Sequence, residues 1–200
     1  MSILCIAFST AYAQTDYLKA FVDKASSSRL VFDYTYKAES RGVPISGSGT
    51  ATVQDGCFIL SGDGLEIYCS DSEKWTVDTQ AMEVVIEPVQ DASDIVFNPA
   101  VLSSSLADSF TWNPSGKTVS FEGKSVILYA LAPVDKAAAI KSLTVFMNKS
   151  VPAGIQVLLS DGTKITVSIV SFSAVPKGGM SDFKPSEDSF DSSYVITDLR

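Results

Sequence analysis

Histidine is absent from the sequence. That removes the usual proton acceptor of Ser-His-Asp and Cys-His catalysis. It also removes the commonest ligand of a transition metal. The three cysteines, Cys5, Cys57 and Cys69, have no paired metal-ligand spacing. Basic residues are scarce, with 15 Lys and Arg against 23 Asp and Glu and a net charge of -8. They form no cluster, which excludes tight binding to nucleic acid, since that draws on cations at the phosphates. Adhesion to anionic lipid surfaces is disfavoured on the same ground. No apolar run approaches the roughly 18 residues that span a bilayer. The acidic stretch from Ser186 to Asp191 lacks the glycine turn and terminal glutamate of a calcium loop and reads as a solvated loop. Neither cofactor nor metal is expected, and the chain is not expected to be an enzyme. Carboxylate pairs of the glycosidase kind would have to be assembled in space, and no pattern in the sequence marks one.

Apolar residues, by contrast, make up 46% of the 200 positions, and the mean hydropathy is +0.20. A single domain of this length can bury them in one core. The start reads as an export signal over residues 1–13. Ile3 to Phe8 is apolar, Ala11-Tyr12-Ala13 is a small-x-small cleavage site, and Gln14 would be the new terminus, although no Lys or Arg precedes the run. Ser2-Ile3-Leu4 lacks the small residue expected before a lipid-anchored Cys5, so a free periplasmic product is expected, with residues 14–200 as one domain.

Thr15 can cap a helix from Asp16 to about Ser26, with Leu18, Phe21, Val22 and Ala25 on one face. The period then becomes two. Leu30, Phe32, Tyr34 and Tyr36 alternate with Val31, Asp33, Thr35 and Lys37, and Ile45, Gly47, Gly49, Ala51 and Val53 share a face of a second strand over Val43 to Gln54. Cys57 to Ser61 and Leu65 to Ser70 form a hairpin about Gly62-Asp63-Gly64. Strands over Lys74 to Asp78 and Met82 to Glu87 follow. Asn98-Pro99 opens a helix ending near Asp108. Six short strands follow between Ser109 and Phe172, Ala174 to Ser193 reads as a surface loop, and Tyr194 to Leu199 closes the chain as a strand. Eleven or twelve strands with two or three helices point to an antiparallel sheet curled toward a barrel.

The ordered set Gly47-Ser48-Gly49-Thr50-Ala51-Thr52-Val53-Gln54, Cys57-Phe58-Ile59-Leu60, Gly62-Asp63-Gly64-Leu65-Glu66-Ile67-Tyr68, Trp75-Thr76-Val77-Asp78, Glu83-Val84-Val85-Ile86 and Asn98-Pro99-Ala100-Val101-Leu102 resembles the LolA family, particularly LolA-like proteins of Bacteroidetes. The resemblance covers about a quarter of the chain. It implies a mainly β fold with lid helices (α+β), an unclosed antiparallel half-barrel covered by two or three α-helices. It also implies a periplasmic, monomeric carrier that takes lipoprotein acyl chains on its concave face. Such a carrier loads at an inner-membrane lipoprotein-releasing ABC transporter and unloads at an outer-membrane acceptor that the sequence does not identify. The alternative on the same fold is a periplasmic sensor or binding module for lipid or lipoprotein. One departure stands out. The family's arginine at the end of the second strand, which latches the lid, is replaced here by Gln54-Asp55-Gly56.

Phe32, Tyr34, Tyr36, Phe58, Leu60, Tyr68, Trp75 and Val77 are the expected lipid-binding residues, and Phe21, Leu102 and Leu106 the expected lid residues. On the residues alone such stripes more often mean a filled core; the resemblance is what turns them into a lining. With Asp63 as the hairpin centre, Phe58 should face Tyr68 and Leu60 should face Glu66. Cys57 and Cys69 then stand equally far from the turn, as direct partners on the outer face. In an oxidising compartment that spacing predicts a cross-strand disulfide between them.

Overall fold

The computed structural model describes residues 15–40, 42–89, 106–136 and 139–200. The expected signal peptide, the helix start at Asn98-Pro99 and Leu102 lie outside them. Helix α1 spans Tyr17–Ala25. Its cap is Asp16 rather than Thr15: the Asp16 carboxylate accepts the Lys19 amide at 2.9 Å. The same side chain accepts the Trp112 indole N–H at 3.2 Å. A single helical turn, α2, covers Leu106–Ser109. Two helices therefore stand among the described residues.

Thirteen strands form one sheet. They are β1 (Ser28–Ser40), β2 (Val43–Gln54), β3 (Cys57–Gly62), β4 (Leu65–Cys69), β5 (Glu73–Asp78), β6 (Glu83–Pro88), β7 (Phe110–Trp112), β8 (Lys117–Phe121), β9 (Lys124–Pro133), β10 (Ile140–Asn148), β11 (Val151–Leu159), β12 (Lys164–Pro176) and β13 (Val195–Asp198). The order across the sheet is β13-β6-β5-β4-β3-β2-β1-β12-β11-β10-β9-β7, with β8 also on β9, so the sheet is unclosed. Neighbours are antiparallel except at the far edge, where β13 runs parallel to β6. That parallel pair corrects the all-antiparallel expectation. It arises because the chain returns from β12, beside the central strand, to the opposite edge.

α1 packs against β1 and β10, its Tyr17 amide donates to the Tyr129 hydroxyl of β9 at 3.0 Å, and its cap holds Trp112 of β7. β1 and β7 stand five places apart in the sheet order. At about 4.8 Å per strand that is more than 20 Å on a flat sheet, whereas a helix is roughly 10 Å across. One short helix meets both strands because the sheet curls around it. The face that meets α1 is the inner face. Leu18, Phe21, Val22 and Ala25 of the helix are buried there with Leu30, Phe32, Val53, Phe58, Leu143, Val145, Met147, Ile155 and Val167 from six strands.

The outer face carries a second, smaller core of Trp75, Val77, Val84 and Ile86, with Tyr68, Phe190 and Tyr194 packed on it. Its cover is the C-terminal segment after Pro176. Gly178 and Gly179 lie on Arg29 and Gln54, and Met180–Phe183 form a 3-10 turn with Phe183 fully buried and the Arg29 guanidinium 5.1 Å above its ring. Farther on, Phe190 stacks on Trp75 at 6.2 Å and β13 joins the edge. Read from the sequence as a loop, this segment carries apolar anchors spaced too widely to show a strand or helix period.

Candidate functional site

The β3–β4 turn decides which side chains face inward. Asp63 and Gly64 both have positive φ, +54° and +83°, and Gly62 pairs with Leu65. This is a two-residue turn of the type that suits right-twisted strands and favours Asp-Gly. Its centre lies between Asp63 and Gly64, half a residue later than an Asp63-centred reading. The register therefore moves by one: Phe58 faces Cys69, Ile59 faces Tyr68 and Leu60 faces Ile67. Because side chains alternate, a one-residue slip turns every later strand over.

The eight expected lining residues are accordingly divided. Phe32, Tyr34, Tyr36, Phe58 and Leu60 lie on the inner face. Tyr68, Trp75 and Val77 lie on the outer face, in the small core beneath the C-terminal segment. Grouping those three with the inner residues is corrected. Ile67 and Cys69 take the inner positions of β4. The signal for them was the Asp-Gly pair, which by itself fixes a two-residue loop. On β12, Phe172, Ile169 and Val167 pair with Phe32, Tyr34 and Tyr36 and extend the inner face; that match, across separations of 140, 135 and 131 positions, had no local signal.

The same slip separates the cysteines. Cys57 belongs to the outer side and Cys69 to the inner, and both are buried free thiols. The expected disulfide is thus not formed. The Cys57 thiol donates to Asp71 Oδ1 at 3.2 Å. Burial first, then that carboxylate, pushes its pKa up to about 12.

Of the expected lid residues, Phe21 is buried in α1 with its ring 5.9 Å from that of Phe172, and Leu106 is buried in α2. Gln54, the last residue of β2, faces outward. It accepts from Arg29 Nε at 2.9 Å and the Gly178 amide at 3.0 Å, and donates to the Gly178 carbonyl at 3.1 Å. It fastens the C-terminal segment, on the side of the sheet away from α1.

Along β1 the inner face grades from closed to open. Leu30 and Phe32 are 1% exposed beside α1, Tyr34 is 8% exposed, and Tyr36 and Ala38 are half-buried. Ile45, on the same face of β2, is 56% exposed. Between Ala51 and Ile45 that face of β2 is bare at Gly49 and Gly47, and the phenol rings of Tyr34 and Tyr36 lie over the gaps. An ideal Cβ on Gly49 would stand 2.5 Å from the Ser61 carbonyl oxygen and 3.0 Å from the Tyr34 hydroxyl. One on Gly47 would stand 2.2 Å from Asp63 Oδ2 and 2.9 Å from the Tyr36 hydroxyl. Burial, then Tyr36 and Asp63, pushes the Tyr34 phenol above its ordinary pKa, so it keeps its proton. The result is an apolar trough whose open end carries two phenols and one carboxylate.

No protein-family model and no curated protein matches the chain. Solved structures do. An uncharacterized conserved protein from Thermus thermophilus superposes with a TM-score of 0.52 at 11% identity, over 90% of this chain and 96% of that one. A domain described as outer membrane lipoprotein-sorting, from Vibrio parahaemolyticus, gives 0.49 at 11% identity over 84% and 95%. A LolA superfamily protein from Nitrosomonas europaea gives 0.46 at 8% identity over 86% and 99%. The first of these likenesses shows a shared fold. The mainly β, unclosed sheet is what the LolA resemblance implies; in place of the expected cover of two or three lid helices, the described residues hold the nine-residue α1 and the single turn α2.

Proposed function

We propose that the inner face binds acyl chains and that the chain is a periplasmic carrier of lipoproteins, without catalytic activity. The observation that carries this reading is the open end of the trough. Tyr36, Ala38 and Ile67 are apolar, adjoin the core and stay half-buried, while the exposed Ile45 continues the same face outward. A face that only filled a core would close over these groups. An acyl chain laid along them gains about 0.8 kcal/mol for each methylene taken out of water. The absence of histidine supports a binding rather than a catalytic role. Loading from an inner-membrane lipoprotein-releasing transporter and delivery to the outer membrane follow from the LolA resemblance.

The test is a charge in the path of the chain. Ile67→Asp places a carboxylate at a half-buried position of the inner face, outside the tyrosine cluster. Binding of a diacylated lipopeptide should weaken at least tenfold while the circular-dichroism spectrum is kept. Unchanged affinity in a folded Ile67→Asp protein would contradict the assignment of this face.

A further inference from the structure

The open end of the trough is not apolar throughout. Asp63 is exposed in the turn before β4, yet its carboxylate folds back over Gly47, over which the Tyr36 hydroxyl also lies. Tyr34 and Tyr36 lie side by side with ring centroids 6.4 Å apart. Gly47 is what admits the carboxylate, since any Cβ there would stand 2.2 Å from its oxygen. An ionised carboxylate only accepts hydrogen bonds, and a phenol oxygen can accept as well as donate. A carboxylate that shares the space over Gly47 with one phenol oxygen, with a second phenol over the neighbouring Gly49 and both rings close by, matches a cation that donates hydrogen bonds. The apolar trough leads away from it toward Phe32 and α1.

We infer that Asp63, Tyr36 and Tyr34 form a head-group subsite that selects acyl ligands bearing an ammonium group at the polar end. This deepens the proposed function and rests on it. The shared chemistry has two natural sources, the free α-ammonium of a diacylated lipoprotein N-terminus and the ethanolamine head of a phospholipid. In either case the chain lies in the trough and the cation stays at the hydrated rim.

The experiment compares dodecylammonium with dodecanoate, both below their micelle concentrations, by titration calorimetry on the whole protein. The expected ratio of affinities for wild type is about tenfold in favour of the ammonium, the scale of one charge-assisted hydrogen-bonded pair. Asp63→Asn keeps the turn, because Asn accepts positive φ as readily as Asp, and should bring the ratio close to one. Gly47→Ala keeps every charge but displaces the carboxylate, and should do the same. Asp33→Asn, on the outer face beside Ser171, makes the same change in net charge and should leave the ratio intact. A ratio kept in Asp63→Asn, or lost equally in Asp33→Asn, would overturn the subsite while the carrier reading stands. Equal binding of both amphiphiles to wild type would do likewise. Failure of both to bind wild type would instead overturn the carrier reading itself. With the subsite in hand, a diacylated lipopeptide with a free amine and phosphatidylethanolamine identify the source: the ligand whose affinity drops in Asp63→Asn is the one recognised.

Discussion

At the scale of single residues, burial separates positions that the sequence presents alike. Phe58 and Tyr36 both lie on the inner face, but Phe58 is 0% exposed and Tyr36 is half-buried. A glutamate at Phe58 would leave a charge without solvent or partner in the core, a severe defect. Phe58→Glu should fail to fold, whereas Tyr36→Glu should keep a cooperative thermal transition and lose acyl-chain binding. Thermal denaturation followed by lipopeptide titration checks both. The cysteines give a second test at this scale. With its pKa near 12, Cys57 holds little of the reactive thiolate at neutral pH. Iodoacetamide should leave it unmodified in the native protein and alkylate both Cys57 and Cys69 after denaturation without reductant, as read by peptide mass spectrometry. A Cys57–Cys69 cross-linked peptide would contradict the register.

Individual elements show how much of the fold could be read from sequence and where reading stopped. β2 was legible from Val43 to Gln54, because alternation and a turn at each end bound it. The face of β1 was legible from its unbroken aromatic alternation. β4 and β5 were found as strands but turned over, since their facing depends on one turn and a single-residue error propagates through every paired strand. The cover of the outer face was illegible: Phe183, which packs under Arg29, and Phe190 and Tyr194 of the outer core lie in a stretch rich in Ser, Gly and Asp, and their partners across the sheet are more than 100 positions away. Glycines test the close approach of β2 and β3. At Gly49 a Cβ would meet a backbone carbonyl, which cannot step aside, whereas at Gly47 it meets the tips of side chains. Gly49→Ala should therefore lower Tm by about 5 °C, the scale of 1–3 kcal/mol of overpacking, and Gly47→Ala by clearly less. Differential scanning calorimetry of the two variants decides the order.

Across the whole molecule, one curled sheet serves two purposes: its inner face carries the trough, and its outer face is bound by the returning C-terminus. That return is fastened at Glu73, which is hydrogen-bonded by Lys184 and Arg200, while both cations also stand over the Trp75 ring at 5.5 and 5.9 Å. Burial acts to raise the Glu73 pKa, but Lys184 and Arg200 outweigh it and hold the group below its ordinary 4.5. A carboxyl lowered on folding stabilises the fold above its unfolded value, and that contribution disappears as the pH falls through the folded value. Acidification below about pH 4.5 should thus loosen the C-terminal segment and shift Trp75 fluorescence to the red in a Trp112→Phe background. Glu73→Gln should show no such acid transition.

Native mass spectrometry of the purified protein with a diacylated lipopeptide decides whether the trough holds acyl chains. A one-to-one complex is expected, absent with the same peptide stripped of its acyl chains. No complex, or equal complexes with both peptides, would contradict it.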